Sequence, residues 1–301
     1  MANLRDIRKR RRGAANTRKI TRTMELVSSA KLKKAQDAAN ASYPFARTLY
    51  HLMATLSSSM SEADKHPLMK SRPVKKVTIY LMASDRGLCG SFNSNLVAKA
   101  LDRAKHHRAA GREVRFVALG KKGATTLVFF GEPVAATHTK IVGAANYAGC
   151  ERIASEAIAD FESGRSDLAE VVFARFLSAG KQEVRAQVLL PAGGGDEHSS
   201  GKDLSGARTA VNSGSKPDYI FNEDPEVVFA ALVPRAVRAE FYAFSLQTTA
   251  AEHAARRVAM KNASDAAAEM VRSLTLVYNR GRQGKITQEI AEITGAVEAM
   301  A

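Results

Sequence analysis

Toward the C-terminus, apolar residues recur along one line of a helix. Ile286, Ile290, Ile293 and Val297 are spaced four, three and four apart within LVYNRGRQGKITQEIAEITGAVEAMA, Leu276 to Ala301. That spacing draws a narrow apolar seam. No cap or closing strand follows, so the seam needs cover from a second helix or from another molecule. The other end of the chain offers such a helix. Ile20, Met24 and Val27 are spaced four and three apart in ITRTMELVSSAKLKKAQ, Ile20 to Gln36, and the chain is free of Pro and Gly from Ala14 to Tyr43. The stretch is rich in Ala, Lys, Arg and Leu, which are good helix formers. A thin seam on a polar cylinder suits a coiled-coil partner better than a globular core. The pattern therefore predicts an antiparallel pair of terminal helices closed by a central domain.

The centre of the chain reads differently. Val77–Ala83 is a short β-rich run that ends in SDRGLCG, and a helix is expected over Asn95–Ala110. Further strands are expected at Val114–Leu119 and Lys140–Val142, with helices at Lys121–Phe130 and Asn146–Phe161. Strands separated by helices of this length predict βαβ units and a mostly parallel sheet. Glu170–Leu177 and Gln182–Leu190 flank SAGK, which predicts an edge hairpin. The fold class is thus α/β, a central Rossmann-like domain (74–191) with a coiled coil of the N-terminal (1–60) and C-terminal (218–301) helices. Between them, 192–217 is Gly- and Ser-rich and reads as a loop. Asp224 and Pro225 form a helix start, while Pro44 and Pro234 should bend or interrupt their helices.

Charge sharpens the picture. The net charge is +15, and residues 1–40 hold twelve Lys or Arg against three Asp or Glu. A basic helical rod implies a polyanionic partner, whether nucleic acid, an anionic surface or acidic protein loops. No recognisable nucleic-acid motif is present, and the chain lacks Trp. Gly87 and Gly90 follow the first expected strand, where a dinucleotide-binding fold places its phosphate loop, but the segment matches neither GxGxxG nor GxxxxGK[ST]. Cys89 and Cys150 have no metal or CxxC spacing and are expected as free thiols. The seven histidines are scattered, and His106 and His107 are expected to be solvated on a basic helix. No catalytic constellation, cofactor site or metal site emerges, which argues against an enzyme acting on its own.

Four segments, in order, resemble the gamma subunit of the F-type ATP synthases. They are NTRKITRTMELVSSAKLKKAQ (Asn16–Gln36), SDRGLCGSFN (Ser84–Asn93), RVAMKNASDAA (Arg257–Ala267) and LVYNRGRQGKITQEIAEI (Leu276–Ile293). Any one of them would be a weak signal; four in register are specific.

The resemblance implies a non-catalytic rotor. Its terminal helices would turn inside a ring of three alpha and three beta subunits, with its α/β domain on the c ring beside the epsilon subunit. Ion flow would thereby be coupled to ATP synthesis or hydrolysis at the beta subunits, whose ATPase activity the rotor regulates. Neither a cofactor, a nucleic acid nor a direct small-molecule substrate is implied. The place implied is the cytoplasmic side of a bacterial inner membrane, as a peripheral protein. The resemblance assigns beta-subunit contacts to Arg280, Arg282, Gln283, Thr287, Gln288 and Glu289. Ile20, Met24, Val27, Ile286, Ile290, Ile293 and Val297 form the expected shaft seam, and Arg10, Arg18, Lys19, Arg22, Lys31, Lys33 and Lys34 a basic track. Asp218, Tyr219 and Phe221 would face the c ring. Gly281, Gly284 and Lys285 depart from the family pattern, and two helical glycines should soften the shaft locally.

Overall fold

The computed structural model describes residues 4–59, 66–144, 146–192 and 225–300. Most of the Gly- and Ser-rich segment, Asp218, Tyr219, Phe221 and Asp224 lie outside the described residues. The elements in order are α1 (Leu4–Ser59), β1 (Lys76–Met82), α2 (Phe92–Ala109), β2 (Glu113–Leu119), α3 (Lys121–Phe129), β3 (Val134–His138), α4 (Tyr147–Glu162), β4 (Leu168–Ser178), β5 (Lys181–Leu190) and α5 (Pro225–Met300). Contacts divide the chain into two units, Met1–Ser28 with Arg257–Ala301, and Ser29–Arg256.

The larger unit is built on a five-stranded sheet of order β3-β2-β1-β4-β5. β1, β2, β3 and β4 run parallel, and β5 returns antiparallel to β4 through the expected hairpin. The third strand is not at Lys140–Val142 but at Val134–His138; Ile141 and Val142 are instead buried in a turn. Their hydrophobicity reflects core packing, which a short apolar run cannot distinguish from strand pairing.

β1 is apolar on both faces. Tyr80 and Met82 join a cluster with Val117, Leu119, Val171, Phe173 and α4, while Val77, Ile79 and Leu81 join a second with Phe116, Val172, Ala174 and α2. The terminal helices complete both. Val233, Val237, Phe241 and Phe244 of α5 enter the first cluster, where Phe244 stacks on Phe173 at 4.4 Å. Ala250, Ala251 and Ala254, with Leu32 and Ala35 of α1, enter the second. α1 and α5 run through Pro44 and Pro234 without interruption, so of the expected bend or interruption the second does not occur.

The smaller unit pairs the two chain ends. Ile7, Ala14, Thr21 and Ser28 are buried at intervals of seven, with Leu4, Arg11 and Glu25 at least half-buried between them. On α5, Met260, Ser264 and Ala267 are buried, and Val271, Leu274 and Tyr278 half-buried, continuing a 3.5-residue period. Leu4 lies at Gly281, where an added Cβ would stand 3.0 Å from Leu4 Cδ2. Four residues further along α1, Arg8 Nη2 donates to the Tyr278 hydroxyl at 2.6 Å. The numbers rise on one helix as they fall on the other, so the pair is antiparallel.

The seam expected from Ile20, Met24 and Val27 is not the one the helices use. Those residues sit one position before Thr21, Glu25 and Ser28, about 100° around the helix. Ile20 and Val27 are exposed and Met24 is half-buried. The buried line is rich in Ala, Ser and Thr, which lets two backbones approach closely but carries little hydrophobic signal.

Overpacking this line should therefore cost more than stripping apolar groups from the outer face. Ala267→Leu or Ser264→Leu is expected to destabilise the chain by about 1–3 kcal/mol. Ile20→Ser and Val27→Ser should stay within about 0.5 kcal/mol. Urea unfolding followed by helical circular dichroism checks the contrast; equal losses at both sets of positions would contradict it.

Candidate functional site

Where β1 ends, the SDRGLCGSFN segment forms a turn that grips the protein's own backbone. Ser84 is fully buried. Its amide donates to Asn93 Oδ1 at 3.0 Å, and its hydroxyl donates to the Arg86 carbonyl at 2.6 Å. Asn93 Nδ2 donates back to Ser84 Oγ at 2.8 Å and reaches Cys89 Sγ at 3.3 Å. The Asp85 carboxylate accepts the Lys121 amide at 3.0 Å and the Lys140 amide at 2.8 Å. Leu88 and Gly90 adopt φ of 65° and 62°, closing the turn. Nearby, Gly120 has φ 115°, and a Cβ there would stand 2.1 Å from the Ala83 carbonyl oxygen, so only glycine fits. The turn occupies the position of a phosphate loop, yet Ser84, Asp85 and Asn93 all serve internal hydrogen bonds.

One helical stretch of α5 holds this turn and the next. Arg256 pairs with Glu252, one helical turn earlier, at 2.7 Å, and both side chains are nearly buried. The same Arg256 nitrogen reaches the Arg86 and Gly87 carbonyls at 3.4 Å. Thr249 accepts the Gly143 amide at 3.0 Å. Gly143 has φ 87°, and a Cβ there would lie 3.1 Å from Glu252 Oε2. That oxygen is buried without a hydrogen-bond partner among the described residues. Burial pushes the Glu252 carboxyl above its usual range, against the pull of Arg256. Burial, with Arg256 and Lys31 adding repulsion, drives His253 down to about 4. Thr249, Glu252 and Arg256 together thus fasten the loops after β1 and β3 to α5. Sequence inspection passed over Glu252 and Arg256; the available signal was an acid–base pair four apart inside an Ala- and Thr-rich run.

A second buried charge cluster corrects the reading of His107, which is buried rather than solvated. Its Nε2 lies 3.1 Å from Glu170, and Arg103 donates to the other Glu170 oxygen at 2.8 Å. His106 is exposed as expected. Cys89 and Cys150 are free and buried, and burial pushes the Cys150 thiol up to about 11. Among the described residues, no group of three or more His, Cys, Asp or Glu could hold a metal ion. No described helix is long and apolar enough to cross a membrane.

In the paired-helix unit, Tyr278 is held between arginines. Arg8 and Arg11 stand 5.4 and 5.1 Å from its ring centre, and the Arg8 hydrogen bond draws its hydroxyl pKa down. Beyond Gly281 the side chains of α5 described up to Met300 are exposed. Arg280, Arg282, Gln283, Thr287, Gln288 and Glu289 all lie on exposed helix. Within that run Gln288 bonds Glu292 at 2.9 Å, and Lys285 faces Glu289 at 3.6 Å. Ile286, Ile290, Ile293 and Val297 are exposed in this chain, from 47% to 66%. Arg10, Arg18, Lys19, Arg22, Lys31, Lys33 and Lys34 are exposed too, the first four in the paired-helix unit and the last three in the sheet unit.

Comparison with known proteins gives a consistent result. A family profile described as ATP synthase matches residues 3–300. An ATP synthase gamma chain of Leptospira biflexa is 38% identical over 300 residues, covering 100% of both chains. One of Rhodopirellula baltica is 35% identical over 302 residues, covering 100% of this chain and 99% of that one. Among solved structures, a chain of the Euglena gracilis mitochondrial ATP synthase aligns with a TM-score of 0.63 at 16% identity, covering 99% of this chain and 94% of that one. A chain from the central stalk and c-ring structure of the Tetrahymena thermophila enzyme aligns with a TM-score of 0.57 at 20% identity, covering 81% and 99%. These structures share the fold.

Two measurements test the fastening on α5. Arg256→Ala strands a buried carboxylate and is expected to cost about 3–5 kcal/mol, with Glu252→Gln added in the same chain restoring part of it. Because His253 has its folded pKa depressed from 6.5 to about 4, its contribution is complete above pH 6.5. It falls as pH drops from 6.5 toward 4, by about 3 kcal/mol in all. The stability difference between the natural chain and His253→Gln, from urea unfolding at several pH values, should shrink over that window. A pH-independent difference would contradict the assignment.

Proposed function

The chain belongs to the ATP synthase gamma-chain family, and on that premise we propose that it is the central rotor shaft of an F-type ATP synthase. The carrying observation is the end of α5. From residue 282 to Met300 the described side chains of the helix are exposed, with an apolar line among them. An exposed apolar line of this kind is stabilised when a surrounding protein sleeve removes it from water. The alpha/beta ring supplies such a sleeve.

The shaft has no catalytic role of its own; ATP chemistry belongs to the beta subunits. Its contribution is differential contact, because a shaft touching three equivalent sites alike would shift none of their equilibria. Arg280, Arg282, Gln283, Thr287, Gln288 and Glu289 present the polar groups that would be switched from one beta subunit to the next. Arg10, Arg18, Lys19, Arg22, Lys31, Lys33 and Lys34 would pass acidic loops of the same ring. Ile20 and Val27 belong to this outward surface, so their place would be against the ring, with Met24 half-buried beside the pairing line. The α/β domain would bear on the c ring, with the epsilon subunit beside it, and Asp218, Tyr219 and Phe221 are assigned to that end. The fastening of Thr249, Glu252 and Arg256 onto the loops after β1 and β3 would help carry torque from that domain into α5. The chain's place would be the cytoplasmic side of a bacterial inner membrane, as a peripheral protein.

Reconstitution tests this reading. With purified alpha and beta subunits, ATP hydrolysis should depend on this chain in a complex of one copy per three alpha–beta pairs. Removing residues 286–301 should lower complex stability or activity. Gln288→Ala alone should change activity by less than about fivefold, since one exposed polar contact is worth about 1 kcal/mol or less. A chain that neither assembles nor stimulates hydrolysis, but binds nucleic acid with a steep salt dependence, would replace the shaft with a nucleic-acid-binding rod.

A further inference from the structure

The edge of the sheet at β3 carries no charge along the strand. β3 ends the strand order, so one side of its backbone ladder has no strand partner among the described residues. Natural edges are usually blunted by short strands, charge, proline, bulges or a covering element; β3 is five residues long, follows Pro133 and shifts register against β2 at Ala135. Here the strand itself reads V-A-A-T-H, with no Lys, Arg, Asp or Glu between Glu132 and Lys140. Ala135 and Thr137 are exposed.

The two ends of this edge differ in chemistry. Just before it, the last turn of α3 exposes Val128, Phe129 and Phe130 at 61%, 83% and 59%. The two rings pack edge to face with centroids 5.6 Å apart, forming one apolar platform. The acid nearest that platform, Glu132, is neutralised by a two-pronged pair with Arg108. At the other end, the Gly120 amide donates to the His138 carbonyl, which brings the start of α3 beside the end of β3. Lys121, Lys122 and Lys140 are exposed there, and Asp85 ties the Lys121 and Lys140 backbones to one carboxylate. Arg152 and Glu156 of α4 also face this end, where Glu156 lies 3.9 Å from both His138 and Arg152. Four cations against Asp85 and Glu156 leave it net positive.

We propose that the β3 edge is a docking site for an extended segment of another protein chain, apolar where it meets Phe129 and Phe130 and acidic where it meets Lys121, Lys122 and Lys140. The segment adds to the sheet as a sixth strand. Main-chain hydrogen bonds along Val134–His138 supply the affinity, and the two unlike ends supply orientation and choice of partner. This rests on the shaft reading in one respect: the partner is sought within the assembled synthase.

Hydrogen exchange read by mass spectrometry tests it, on the isolated full-length chain and on the purified complex containing it. Amides of 134–138 are expected to exchange at least about tenfold more slowly in the complex. Ala135→Lys with Thr137→Lys, which gives this edge the charges that edges ordinarily carry, should abolish the slowing, and Phe129→Ser with Phe130→Ser should weaken it. Circular dichroism confirms that each variant chain folds. Equal exchange in both states overturns the proposal, as does slowing confined to 128–130, which would mean packing on the rings without an added strand. Slowing in the isolated chain that grows with concentration, together with a dimer by sedimentation, would make a second copy the occupant and also overturn it. A complex that assembles and hydrolyses ATP without this chain would overturn the shaft reading itself, a result separable from all of these.

Discussion

The sheet of this protein has to be covered on both faces, and much of the architecture answers that requirement. β1 sends Tyr80 and Met82 to one side and Val77, Ile79 and Leu81 to the other. A parallel sheet with two apolar faces is stable only between helical layers. α2 and α4 cannot close both layers alone. The missing cover comes from the two ends of the chain, with Val233, Val237, Phe241, Phe244, Ala250, Ala251 and Ala254 from α5 and Leu32 and Ala35 from α1. The helices that leave the sheet to form the paired unit are therefore the same helices that complete its core.

Where the chain ends pair with each other, the packing rule changes. The seam of Ala14, Thr21, Ser28, Ser264 and Ala267 stabilises through close backbone approach rather than through large apolar area. Because the seam uses small residues, Ile20 and Val27 remain on the outside, while the C-terminal isoleucines lie beyond Gly281, past Leu4, where the described part of α1 begins. Arg8 and Arg11 around Tyr278, and Leu4 against Gly281, mark the end of the described pairing of the two helices. A shaft built this way pairs its own helices largely through small residues and leaves large ones exposed.

The turn after β1 shows how a nucleotide-binding architecture can serve a mechanical end. Its position is that of a phosphate loop, but Arg256 occupies its carbonyls and Asp85 binds the backbone of Lys121 and Lys140. A buried ion pair such as Glu252–Arg256 is weak evidence of stability, since desolvation offsets much of its attraction. Its value lies in geometry, because it holds two loops against one helix, and breaking half of it leaves a charge stranded.

The sequence by itself determined the helical ends, the βαβ order, the edge hairpin and the family, because these rest on periodicity, turn chemistry and four motifs read in order. It also marked the isoleucines near the C-terminus as a line that needs cover, from a second helix or from another molecule. Only the tertiary structure decided which face of α1 meets α5. A seam of Ala, Ser and Thr is nearly silent in hydrophobicity, while its louder neighbours Ile20, Met24 and Val27 sit one position away. Only the fold showed that Ile141 and Val142 are a packed turn, that His107 is buried against Glu170, and that both prolines lie within continuous helices. Each of those outcomes depends on residues distant in the chain, such as Glu170 for His107. Local pattern carries the period of an element, whereas the neighbour that covers it is set by how the elements pack.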